Sequence, residues 1–214
     1  RYAPGYSLKA SYEYQEGNNK LAISYAQLAI KYDPTSEGSW NSIGLANMGL
    51  SEYEKAAKAF EKALALNQNS ALYLNNLSMT LLYSGHPKEA LEKLNRALKI
   101  EPKNPYLIQK RAIISQHNGK LKEALADMNT VLQLRPQTFG EDYSTRASIY
   151  IDLKNYDAAI SDANKALSLK KNYVQAYYNL ARAQYCKRAY KEAIANCTKA
   201  IESDEQINGA IKLR

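Results

Sequence analysis

The residues best suited to chemistry in this chain are two histidines, His86 and His117, and two cysteines, Cys186 and Cys197. A histidine moves a proton near neutral pH or ligates a metal through an imidazole nitrogen. A cysteine pair holds a metal or cycles to a disulfide when its spacing is short, as in CxxC. The cysteines stand eleven positions apart, too far for that motif, and are expected to be unpaired. Both histidines fall beside breaks between predicted helices, with no HExxH and no glycine-rich phosphate loop. Carboxylates are abundant but alternate with lysines, the pattern of a solvated helix face. No catalysis within these residues, no metal and no cofactor is expected. Asn76-Leu77-Ser78 and Asn196-Cys197-Thr198 fit the glycosylation pattern, but both lie inside segments predicted to be packed helix and are read as coincidence.

Charge offers a second kind of chemistry. The 214-residue chain carries a formal charge of +8. From Lys88 to Lys122 nine Lys and Arg residues face only Glu89, Glu92 and Glu101. A solvated helical face accounts for this excess; an acidic partner, nucleic acid or an anionic membrane surface is the alternative. No apolar run approaches a membrane span. The chain opens at Arg1 without a signal-peptide pattern, as a domain or mature fragment would, which leaves the compartment open with the cytoplasm favoured.

The elements that would position any site are written as a repeat. Ser51–Asn69 reads SEYEKAAKAFEKALALNQN, and Lys154–Asn172 reads KNYDAAISDANKALSLKKN, 103 residues later. A fixed period of about 34 residues is the signature of a stacked array. Six units start near Ala3, Glu37, Ala71, Pro105, Gly140 and Val174. The twentieth position of every unit is alanine: Ala22, Ala56, Ala90, Ala124, Ala159 and Ala193. The eighth is always small: Ala10, Gly44, Ser78, Ala112, Ala147 and Ala181. Small residues are needed where helix axes cross closely. Bulkier side chains recur between them at steps of three and four, on one face of a helix. Each unit breaks in its middle, at Glu16-Gly17-Asn18, Ser84-Gly85-His86 and His117-Asn118-Gly119, where a helix end favours a left-handed residue. Pro34, Pro102 and Pro136 close units. Every unit is therefore expected to be helix, turn, helix. Eighteen tyrosines against two phenylalanines suit thin layers whose rings are buried and whose hydroxyls reach the edge.

This pattern resembles the tetratricopeptide repeat (TPR). In the second unit Trp40, Gly44, Tyr53, Ala56, Phe60 and Ala63 match the motif almost throughout. The resemblance implies an all-α, right-handed superhelical solenoid over residues 1–214, with units near 3–36, 37–70, 71–104, 105–139, 140–173 and 174–207. Residues 208–214 would begin a capping or further helix. Lys9, Arg111 and Arg146 depart from the usually apolar seventh position; Gln68, Lys171 and Glu205 replace the closing proline. By the same template Cys197 faces the core.

The resemblance further implies that the first helix of each unit lines a concave groove. Its inward positions carry Asn41, Leu45, Asn75, Asn76, Met79, Leu82, Gln109, Lys110 and Ile113 in units two to four, and Asn179 and Arg182 in unit six. Amides both donate and accept, so they pair with a peptide backbone in either direction, and exposed apolar residues mark interaction surfaces. The expected function is a protein-interaction scaffold holding a partner's peptide segment, for assembly or chaperoning. The alternatives are a basic-surface adaptor and the targeting arm of a larger enzyme. The carboxylate clamp of chaperone-binding relatives is not satisfied by any three consecutive units.

Overall fold

The computed structural model describes residues 3–135 and 139–212, with side chains to 203. Among the described residues there are twelve α-helices and no strand. They are α1 (Ala3–Gln15), α2 (Asn19–Tyr32), α3 (Glu37–Gly49), α4 (Tyr53–Leu66), α5 (Ala71–Tyr83), α6 (Pro87–Ile100), α7 (Pro105–His117), α8 (Leu121–Leu134), α9 (Gly140–Asp152), α10 (Tyr156–Leu169), α11 (Val174–Cys186) and α12 (Tyr190–Lys212). The odd helices begin at the residues where the 34-residue period begins, so the fold is an all-α repeat solenoid of helical hairpins. Pro136, which the sequence pattern makes a helix stop, lies outside the described residues, as do Leu213 and Arg214.

The contacts divide the chain into two compact bodies, one ending at Ile114 and one starting at Ser115. In the first, each helix from α1 to α6 packs on its chain neighbours, and α3 also packs on α1 and α5. In the second, neighbours from α8 to α12 pack in the same way, and α9 also packs on α11. The alanines of the twentieth position are buried in all six units. At the eighth position Gly44 is required sterically: a Cβ there would lie 2.5 Å from the ring of Phe60, which is itself fully buried.

The mid-unit turns share one geometry. The fifteenth residue of each unit is left-handed: Gly17, Ser51, Gly85, Gly119, Lys154 and Arg188, with φ between 57° and 84° in the whole set of positive-φ residues. The next N–H then reaches back to a carbonyl of the last helical turn, as in Glu52 to Asn47 and His86 to Leu81. Glycine marks only half of these turns; in the others the hairpin imposes the conformation on Ser, Lys and Arg.

Two expectations are corrected. Residues 208–212 do not begin a new helix but continue α12, whose 23 residues exceed the 14 of the other second helices. Earlier units stop at Pro34 or Pro102, or at Asn172 with φ 57°, and restart at a capping Ser70 or Asn104. Ser203 to Ile207 holds no Pro, Gly or Asn, so nothing there ends the helix. Cys197 does not face the core; it is exposed, as is Cys186, and both are free thiols.

Candidate functional site

The first body brings the predicted amides of α3 and α5 together. Asn76 donates through Nδ2 to Asn41 Oδ1 at 2.9 Å, and Asn75 donates through Nδ2 to Asn76 Oδ1 at 3.3 Å. Asn41 and Asn76 are half-buried, whereas Asn75 is only 3% exposed. The Oδ1 of Asn75 is buried and lacks a hydrogen-bond partner. Buried polar atoms are almost always paired, so this acceptor stands out. Around the amides, Leu45 is half-buried against the Ala56, Phe60 and Leu77 cluster, and Leu82 is half-buried on α5. Leu72 and Tyr83, at the two ends of α5, are more than half exposed.

The expectation that Met79 and Asn75 line an open groove is therefore corrected: both are buried. α5 packs against α3, α4 and α6 at once and has apolar residues all round, so its inward positions sink below the surface. On α7, Gln109, Lys110 and Ile113 are half-buried, and the Lys110 ammonium lies 4.8 Å from the centre of the Tyr106 ring. That cation–π contact keeps the charge near the surface beside an exposed aromatic.

The second body treats the corresponding positions differently. Asn179 is fully buried, not a groove amide: its Nδ2 donates to the Ser144 carbonyl at 2.8 Å and approaches Ser144 Oγ at 3.0 Å. Gln175 donates to its Oδ1 at 3.4 Å. Arg182 reaches back to Asp152 at 3.3 Å and covers the Tyr178 ring. Gln116 donates to Ser148 and to Asp152. Polar side chains on this body's first helices are thus spent on one another.

Arg146, an apparent misfit at an apolar position, ties three helices. It pairs with both carboxylate oxygens of Asp162 on α10, at 2.7 and 2.9 Å, and donates to Asn129 of α8 at 2.9 Å. The hydrogen bond that Arg146 donates to Asp162 raises the guanidinium pKa above its ordinary value. Nearby, burial pushes the Asp142 carboxyl above the usual carboxylate range, against the opposing pull of Arg135 at 3.7 Å.

Of the residues with catalytic potential, His86 shares a 3.1 Å hydrogen bond with Ser84 at a turn. Among the described residues no group of three or more His, Cys, Asp or Glu side chains is placed to hold a metal ion. No described helix is long and apolar enough to cross a membrane. In the basic stretch, Lys88 and Lys99 of α6 are exposed, and Lys120 pairs with Glu123 at 3.4 Å.

Comparison with known proteins agrees with this geometry. Models of the tetratricopeptide repeat match residues 39–70, 71–104, 143–173 and 174–207. A 60-residue segment is 33% identical to the small glutamine-rich tetratricopeptide repeat-containing protein 2 of Saccharomyces cerevisiae, spanning 28% of this chain and 17% of that protein. Among solved structures, a chain of the APC/C hetero-tetramer Cut9–Hcn1 superimposes with a TM-score of 0.83 at 20% identity, over 94% of this chain and 40% of that one. PilW, a type IV pilus biogenesis factor, gives 0.79 at 19% identity over 100% and 96%. YrrB, described as a TPR protein with an unusual peptide-binding site, gives 0.62 at 20% identity over 80% and 88%. The repeat models together cover more than half of the chain, in register with its helical hairpins, and the chain belongs to the tetratricopeptide repeat family.

Proposed function

We propose that this protein is an interaction scaffold that binds an extended peptide segment of a partner along α3, α5 and α7. The observation that carries the reading is the unpaired Oδ1 of Asn75 within the Asn41–Asn76–Asn75 cluster. Leaving a buried acceptor unpaired costs about 1–3 kcal/mol. A backbone N–H arriving at the half-buried Asn41 Oδ1 takes the place of Asn76 Nδ2, and the freed Asn76 amide can rotate to give the buried Asn75 Oδ1 its missing donor. Leu45, Leu72, Leu82 and Tyr83 offer apolar contacts on either side, and Lys110 offers a cation for an acidic side chain or terminal carboxylate. Family membership supports the general role. The YrrB likeness is one of fold, and its peptide site is a property of that protein.

Salt dependence of binding tests this against a basic-surface role. Nucleic-acid affinity falls with log salt at a slope of about −0.9 per phosphate neutralised. Peptide binding at a neutral amide cluster is expected to change little between low and physiological salt. A steep slope that disappears on substituting Lys88 and Lys99 assigns the binding to the basic face and removes the groove reading.

A further inference from the structure

At the far end of the second body, α11 and α12 enclose an open apolar cavity of about 570 Å³. Ile194, Ile201, Tyr185 and Tyr190 line it, each more than half exposed. The chain holds a template for what fits there. One period earlier, Tyr156, Ala159, Ile160, Ala163 and Leu167 of α10 stand where α12 has Tyr190, Ala193, Ile194, Cys197 and Ile201. Those α10 residues are covered by α11, through Tyr177, Leu180 and Ala183. The surface of α12 is thus a repeat-to-repeat face whose incoming helix is not among the described ones.

We propose that this face binds one amphipathic helix of a partner protein, seated as α11 sits on α10. Its apolar side presents a large residue, a leucine three residues on and an alanine three further, as Tyr177, Leu180 and Ala183 do. Its far end is acidic. Lys187, which follows α11, pairs with Asp157 of α10, but the residue of α12 equivalent to Asp157 is Lys191, exposed and of opposite sign. A helix repeating the lysine would be repelled; one carrying Glu or Asp there is held. The same template argues against a second copy docking head-to-tail through α1. Where α11 places Leu180 and Ala183, α1 places Lys9 and Tyr12, a charge and a ring in a site shaped for a leucine and a methyl group.

The chain's only two cysteines, Cys186 and Cys197, line this cavity and are exposed, and the alkylation rate of Cys197 reports its occupancy. The probe is a helical peptide of residues 174–187 carrying Cys186→Ala and Lys187→Glu, added to the intact chain. At saturating peptide Cys197, whose α10 counterpart Ala163 is fully buried, is expected to react at least about fivefold more slowly, since reactivity follows exposure, while Cys186, whose counterpart Asp152 stays exposed under α11, is the internal reference. The peptide retaining Lys187 should protect at a concentration about fivefold higher, the scale of one charge pair changed in sign. Ile194→Asp in the protein should remove protection without loss of helical content, because Ile194 is 68% exposed. Unchanged alkylation at millimolar peptide, or protection that survives Ile194→Asp, overturns the site. Equal protection by both peptides overturns the acidic requirement. Slow alkylation without peptide also overturns it, in favour of a second copy if sedimentation shows a dimer and of another segment of this chain if it shows a monomer.

Discussion

Asn76 and Asn179 occupy the same position of two repeats, and each reaches back 35 residues to the preceding first helix. Asn179 meets a backbone carbonyl and is fully buried, a fixed bond between α9 and α11. Asn76 meets another side-chain amide and is half-buried, beside an acceptor with no partner. One residue type in one register is therefore a pin in the second body and, in the first, a side-chain pair that the proposed peptide would exchange. The difference lies in what stands opposite: a peptide carbonyl cannot rotate away, whereas Asn41 can. The surrounding chemistry follows suit. The second body locks its helices with Arg146–Asp162, while the equivalent positions of units two and three are the apolar Ile43 and Leu77.

The most severe way to break this contrast is Arg146→Met. It leaves the Asp162 carboxylate, only 6% exposed, without its cation, and should lower stability by about 3–5 kcal/mol in denaturant unfolding. A loss below 1 kcal/mol would mean that the ion pair is ornamental and that the second body is not held as described.

Asn179→Ala comes next. It removes the donor from the Ser144 carbonyl and should cost about 1–3 kcal/mol of stability. Asn76→Ala should cost less than that in folding, because the half-buried Asn41 keeps access to solvent, but should weaken a bound peptide by about 1–2 kcal/mol. The smallest effect concerns the turns. Gly85 and Lys154 hold the same left-handed geometry, at φ 84° and 61°. Lys154→Gly should raise stability by about 1 kcal/mol, since only glycine adopts that region without a Cβ clash. A lower melting temperature in that variant would contradict the shared turn geometry.

The sequence made the hairpins legible because close helix crossings leave a strong mark. Alanine at positions such as Ala90 and Ala159, both fully buried, sets the register of every unit. The site was legible in part. The pairing of Asn41 with Asn76 joins residues that the period assigns to one face. Depth was not readable: Asn75, Met79 and Asn179 share that face but lie under it, because a helix flanked on three sides shows no polar stripe to mark where solvent begins. Arg146 gave no sign of its partner, since Asp162 looks in sequence like any surface carboxylate of a second helix. Ser51, Lys154 and Arg188 were silent as turns because their conformation comes from hairpin closure and not from residue type. The missing helix boundary at Ser203–Ile207 was present only as an absence of Pro, Gly and Asn from those five residues, and Asn208-Gly209 just beyond them do not interrupt α12.

The central claim, that the α3–α5 amide cluster is the binding surface and its counterpart at Asn179 is structural, is tested most directly by calorimetric titration. The ligand is a peptide selected on the wild-type chain from a random-sequence display library. Asn76→Ala is expected to weaken it by about five- to thirtyfold, the equivalent of 1–2 kcal/mol, while Asn179→Ala, assayed below its melting temperature, retains wild-type affinity. Equal losses in the two variants, or an unchanged affinity in Asn76→Ala alongside a loss in Lys88→Ala, would contradict the account.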